Sequence, residues 1–160
     1  MSFYEWLLFF HLLSAFAFVA AYAVVTVVLV AVWRADSGSS ALPFVRLARP
    51  ADALAWAGAT GTLVFGIWLA IDSDVYELWD AWILNAFLFW LVAEEAIRRE
   101  DLLFRKARRV ARTPPMPRAT TQCGDLRVVL RSRHALALHL IGSGALLALL
   151  GVMIFKPGAG

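Results

Sequence analysis

Cysteine and charge are the two scarcities of this 160-residue chain: one Cys, Cys123, and 17% charged residues. A single thiol excludes a disulfide scaffold. There is no Cys-x-x-Cys, and no His/Cys/Asp cluster has zinc spacing. Cys123 falls in a basic loop where reducing conditions are expected, and is read as incidental. No Gly-rich phosphate loop opens a helix, since Gly58-Ala59-Thr60-Gly61 is followed by neither lysine nor a strand pattern. No catalytic residue and no metal site is expected, and an enzyme is the less favoured class. Low charge also has a positive counterpart. The chain is 61% hydrophobic, with a mean hydropathy of +0.71, against about 45–50% apolar in an ordinary soluble domain. That excludes a disordered chain, and a soluble globule of this size could not hide so much apolar surface. The remaining class is an integral membrane protein.

A spanning helix needs about 20 mainly apolar residues, and four segments qualify: about 3–33, 53–71, 79–96 and 135–155. The first is interrupted only by Glu5 and His11. It is too long for a signal-peptide core, no basic residue precedes it and no small-x-small site follows before Arg34, so it is read as a retained span. The third is the shortest, ending at Glu94 and Glu95. Inside lipid every backbone polar group is paired within the protein, so each segment is predicted helical. The segments do not alternate as barrel strands would. The expected fold is all-α, an antiparallel four-helix membrane bundle forming one domain over 1–160.

Charge sorts by loop. Arg34, Arg46 and Arg49 lie between the first two spans. The long loop 97–133 carries Arg98, Arg99, Arg105, Lys106, Arg108, Arg109, Arg112, Arg118, Arg127, Arg131 and Arg133. The turn between the second and third spans carries Asp72, Asp74, Glu77 and Asp80, and no Lys or Arg. Positive residues collect on the cytoplasmic side, so both termini are expected outside and both basic loops inside, in the inner (plasma) membrane of a bacterium. Trp6, Trp33, Trp56, Trp68, Tyr76, Trp79 and Trp82 stand near the span ends, as an aromatic belt would. Ala35 to Ser40 reads as a flexible polar link, and Pro50 as a helix start. Glu94 to Arg112 still reads as helix, ended by Thr113-Pro114-Pro115-Met116-Pro117, and Asp125 to Arg133 as a resumption. Lys/Arg clusters just inside a span point to anionic lipid. The interleaved aromatics of a nucleic-acid surface are missing, so no nucleic-acid partner is expected.

Ionisable groups inside a span are costly and therefore functional candidates. His11 lies towards the outer side, with small Ser14 and Ala15 one turn on, leaving room for a helix or a flat ring. His139 lies towards the inner side at the depth of Glu94, its natural partner in an intramembrane polar pair. Asn85 is outward in the third span, and His134 is a solvated flank. Both His11 and His139 are candidate cofactor ligands as well as candidate packing groups. At about 1.5 Å per residue they are nearly 20 Å apart along the membrane normal, too far to ligate the two faces of one haem in one chain. Gly58, Gly61 and Gly66, and Gly142 and Gly144, form small-residue faces for helix packing.

Several short stretches carry a family resemblance: Phe10-His11-Leu12-Leu13, Gly61 to Leu69 as Gly-x-x-x-x-Gly-x-Trp-Leu, Trp82, and Met153-Ile154-Phe155-Lys156-Pro157. The chain resembles small bacterial four-helix membrane proteins of unknown function, similar to the copper-resistance CopD-like proteins and the HemJ-type protoporphyrinogen oxidases. The resemblance implies a haem-associated four-helix core, haem b as cofactor, and His11 as the position of the haem-associated histidine. It departs from the HemJ pattern where that family has a third-helix lysine; Trp82 to Trp90 holds Asn85 and no Lys. The Lys-x-x-His and Gly-Gly features of the first helix are also missing. Three functions follow as expectations. The first is a scaffold or accessory subunit of a membrane complex, with a membrane-protein partner or a second copy of itself. The second is a haem- or metal-binding redox protein, and the third a small transporter, which no broken span supports.

Overall fold

The computed structural model describes residues 2–34, 38–72, 77–112 and 132–157, without the side chains of 38–48 and 106–112. The described residues form four helices: α1 (Phe3–Arg34), α2 (Gly38–Asp72), α3 (Ala81–Arg112) and α4 (Arg133–Phe155). Among the described residues there is no strand. The fold is all-α, as the apolar pattern predicts.

Local chemistry sets several of the ends. Ser2 and Glu5 form a capping box: the Glu5 N–H donates to Ser2 Oγ at 3.3 Å, and the Ser2 N–H donates to Glu5 Oε2 at 2.7 Å. Ser132 caps α4, its Oγ accepting from the Ala135 N–H at 3.2 Å. At the far end Lys156 turns left-handed (φ 41°) and its N–H closes on the Val152 carbonyl at 2.9 Å. Ahead of α3, the Asp80 N–H donates to the Glu77 carbonyl at 2.9 Å and the Glu77 N–H to Asp80 Oδ2 at 3.2 Å, closing a tight turn.

Two boundaries differ from expectation. The polar stretch read as a link is already helix from Gly38, and Pro50, read as a helix start, lies inside α2. A proline removes one intrahelical donor and crowds the preceding turn. Here the helical run on both sides carries the chain through, so the proline interrupts the bond pattern without ending the element. Ala35 to Ser37 lie outside the described residues. The continuation of α3 beyond the apolar run reaches Arg112, the residue before the proline-rich stretch. The Thr113–Pro117 break and the resumption at Asp125 lie outside the described residues.

Among the described residues three helical stretches are long and apolar enough to cross a membrane: Phe3–Arg34, Arg49–Asp72 and Arg133–Phe155. The segment expected as the third span sits in α3, which is not among them: Glu94, Glu95, Arg98 and Arg99 follow its short apolar run too closely.

The helices pair as two hairpins, α1 lying mainly on α2 and α3 mainly on α4. A core cluster joins all four through Phe18 and Tyr22, Ala59, Ala86 and Ala93, and Ala145, Leu146 and Leu149. Trp90 ties α2 to α3, its indole N–H donating to the Ala59 carbonyl at 3.1 Å.

Within the first hairpin the backbones touch. A Cβ on Gly58 would stand 2.6 Å from Phe18 N and 2.9 Å from Ser14 O, and one on Gly61 would overlap the Ser14 hydroxyl. A Cβ on Gly66 would press on the His11 ring at 3.0 Å, and one on Gly142 would overlap the Tyr22 hydroxyl. Gly144, expected on a packing face, meets nothing within 4 Å. Its place on α4 turns it away from the other helices of this chain.

Gly58→Ala is therefore expected to destabilise the bundle by about 1–3 kcal/mol through overpacking against backbone. Gly144→Ala should be neutral or stabilising by up to about 1 kcal/mol, since alanine is the better helix former. Unfolding of the two purified variants in detergent checks this, and equal losses would contradict the packing described.

Candidate functional site

The polar side chains of the bundle gather at two levels. The first is built around His139 on α4, which is only 6% exposed. Its Nδ1 lies 3.1 Å from Oε1 of Glu100 on α3, itself 4% exposed. Its Nε2 lies 2.9 Å from the Thr26 hydroxyl on α1 and 3.5 Å from that of Ser143. Thr26 also donates its hydroxyl hydrogen to the Tyr22 carbonyl at 2.9 Å. The Tyr22 ring lies tilted against the imidazole, centroids 5.5 Å apart, and its hydroxyl is buried with no hydrogen-bond partner. This one cluster thus joins both hairpins.

His139 and Glu94 were expected to pair, and they do not. The carboxylate beside His139 is Glu100, and Glu94 Oε2 is buried without a hydrogen-bond partner. Matching depths by the end of the apolar run misplaces the register. Because α3 continues as one helix into its charged part, α4 pairs with it lower down, at the level of Glu100. Glu95 turns outward and pairs with Arg98 and Arg99 at 2.8 Å. The signal that could have found Glu100 is periodicity. Ala93, Ala96, Glu100 and Phe104 are all buried and recur at helical spacing, so Glu100 is the polar member of an otherwise apolar stripe. Thr26, Tyr22 and Ser143 were also missed; nothing in their local sequence marks them.

Beside Glu100 lies a cleft of about 10 Å³, room for about one water. It is lined by Ala21, Tyr22 and Val25 of α1, Asp52 and Ala55 of α2, and Ile97, Glu100, Asp101 and Phe104 of α3. Asp101 pairs with Arg105 on its outer side. Among the described residues no three His, Cys, Asp or Glu side chains are grouped to hold a metal ion.

The second level is His11. Its Nδ1–H donates to the Thr62 carbonyl at 3.1 Å, while the Thr62 hydroxyl donates to the Gly58 carbonyl at 2.7 Å. A carbonyl can only accept, so the neutral ring carries its hydrogen on Nδ1 and its lone pair on Nε2. Ligating histidines are commonly oriented by an N–H to carbonyl bond of this kind. Neighbouring Phe10 stacks on Phe65 at 5.4 Å and on Trp6 at 5.9 Å. The other polar candidates are spent locally: the Asn85 amide donates to the Ala81 carbonyl of its own helix at 2.8 Å, and His134 is exposed. Thr26 stands about 22 Å further along α1 than His11 at about 1.5 Å per residue. The two histidines therefore belong to separate sites.

Compared with protein-family models, curated proteins and solved structures, the chain matches none.

Removing one member of the Glu100–His139 pair leaves the other buried and uncompensated, which costs about 3–5 kcal/mol, whereas replacing both with apolar residues can be neutral. His139→Leu is accordingly expected to be markedly destabilising, and the Glu100→Leu/His139→Leu double variant to recover most of the loss. A double-mutant cycle by denaturant unfolding measures the coupling; additive losses would mean that the pair does not act as one unit.

Proposed function

We propose that the chain is a four-span protein of the bacterial inner membrane, with both termini outside, that serves as a scaffold or accessory subunit of a membrane complex. The observation that carries this reading is where the polar groups go. Thr26, Glu100 and His139 bond between helices of the same bundle, whereas Phe16, Trp56, Leu88, Leu147 and Ile154 are exposed, with at least one on every helix. An outer surface of that kind suits lipid or other membrane helices and offers a soluble substrate little to hold. The short apolar part of α3 crosses with the support of its neighbours, its Ala86 and Ala93 seated in the shared core. The basic residues beyond the apolar part of α3, Arg98, Arg99 and Arg105 among them, suit anionic lipid on the inner side.

A membrane-impermeant maleimide tests the topology. Cys123 should react only after the membrane is opened, and Ser2→Cys in a Cys123→Ser background should react in intact cells; the reverse pattern overturns the orientation. The mass of the particle in native lipid discs tests the assembly. A complex or an oligomer supports the accessory role, and a lone monomer refutes it.

His11 favours a second reading, a haem-binding protein resembling the CopD- and HemJ-like families. Its Nδ1 is anchored and its Nε2 makes no hydrogen bond among the described residues, which would leave that nitrogen for a metal, whereas both nitrogens of His139 are engaged by Thr26 and Glu100. His11 Nε2 would hold the iron, Thr62 would orient the ring, and a bound haem would supply one-electron chemistry. On this reading a Soret band is expected after expression with haem and is lost in His11→Ala. No band in the wild type sets the reading aside.

A further inference from the structure

We infer that the outward face of α3 holds one anionic phospholipid of the inner leaflet, its phosphate gripped by Arg98 and Arg99 and one acyl chain lying along Leu88, Leu91 and Val92. The inference rests on the membrane-spanning reading above. It adds a discrete ligand site, which a general attraction between basic residues and lipid does not imply.

One helix face carries all the parts. Leu88, Leu91, Val92, Glu95, Arg98 and Arg99 follow one another at steps of three and four residues, so they stack along one side of α3. The two leucines and the valine are exposed, and the Arg98 and Arg99 side chains are 59% and 58% exposed. Ala86, Ala93, Ala96 and Glu100, on the other side, are buried in the bundle.

Depth makes these arginines unusual. At the outer end Lys156 Nζ stands over the Trp82 ring at 5.4 Å, so α3 and α4 share a level there. From that level α4 runs about 35 Å to Arg133, enough to clear a hydrocarbon core of about 30 Å. Along α3 the same level is only about 24 Å from Arg98 and about 26 Å from Arg99. Both cations leave the helix short of the inner hydrocarbon boundary, where a charge is costly unless it is paired. Their apolar stems reach the rest of the way to the headgroups, and a short apolar run draws the phosphates inward by thinning the bilayer beside it.

Glu95 positions the arginines without exhausting them. Its Oε1 accepts from Arg98 Nη2 and from Arg99 Nε, each at 2.8 Å, and its Oε2 accepts from Arg98 Nε at 2.8 Å. The shared oxygen holds the two guanidinium groups side by side, with the nitrogens that meet it at most twice 2.8 Å apart. Glu95 thus takes three N–H hydrogens from two groups that each have several more to give. Glu94, the neighbouring carboxylate, gives them no hydrogen bond, since its Oε2 is buried without a partner. A phosphate fits the remaining donors: it is negative, present at this depth, and its paired oxygens match the guanidinium fork. A glycerol headgroup leaves the phosphate charge in place, whereas choline or ethanolamine cancels it, so the ligand is an anionic lipid.

The test is native mass spectrometry of the full chain in detergent micelles, with phosphatidylglycerol or phosphatidylcholine of the same acyl chains added. One phosphatidylglycerol should stay bound in preference to phosphatidylcholine. Arg98→Gln/Arg99→Gln should weaken its binding by about tenfold or more, as expected for lost charge-assisted bonds. Arg105→Gln, which also removes a cation from α3, should leave it unchanged. Arg98→Lys/Arg99→Lys keeps the charge but not the fork; it should bind more weakly than the wild type, and it serves as the test if the glutamine variant does not fold. Equal retention of the two lipids by the wild type overturns the proposal. So does a lysine variant that binds as the wild type does, because charge alone then accounts for the binding. Alkaline carbonate washing of the cell membranes keeps the two readings apart. A chain that stays in the membrane but shows no lipid preference refutes the site alone, and a chain that washes out refutes the membrane reading beneath it.

Discussion

A single buried contact, His139 to Glu100, ties α4 to α3 at one level, and Thr26 on the other face of the same imidazole ties α4 to α1. The rest of the arrangement depends on it because the apolar contacts around it are permissive. Alanine and leucine faces can slide past one another at small cost, but the buried Glu100 carboxylate and His139 imidazole bond only to particular partners. Displacing either leaves a polar group without a hydrogen bond in a low-dielectric interior. The register between the hairpins is therefore set by polar satisfaction, and the Phe18–Leu149 core fills the space that this register leaves.

Within the first hairpin the constraint is steric. Gly58 admits the α1 backbone, and Gly61 the Ser14 side chain, at distances that a Cβ would not allow. Close approach brings His11 over Gly66 and within reach of the Thr62 carbonyl. A packing device thereby orients a histidine, whose second nitrogen makes no hydrogen bond among the described residues. The two histidines thus end in opposite chemical conditions: one ring is locked on both sides, the other anchored on one side only.

Much of the fold was legible in the residues. Apolar run length and the absence of alternation predict helices, and α1 and α4 begin and end close to where those runs do. Proline was a weaker guide: Pro50 reads as a start and is carried inside α2, because a long helix tolerates one missing donor. The site was less legible. His139 stands out as an ionisable residue in an apolar run, but its partner depends on the length of a neighbouring helix. Glu94 was the nearer carboxylate by hydropathy and Glu100 the nearer one in space.

By itself, then, the sequence determined the class of the chain: helical and strongly apolar, with charge kept largely out of the apolar runs, because these are properties of composition and local period. It also marked His11 and His139 as costly residues that need a reason. Only the tertiary structure decided what each does. The vertical register of antiparallel helices comes from side chains meeting across the bundle, and no single segment encodes it. That register places Glu100 and Thr26 on the two nitrogens of His139 and turns Gly144 away from the other helices.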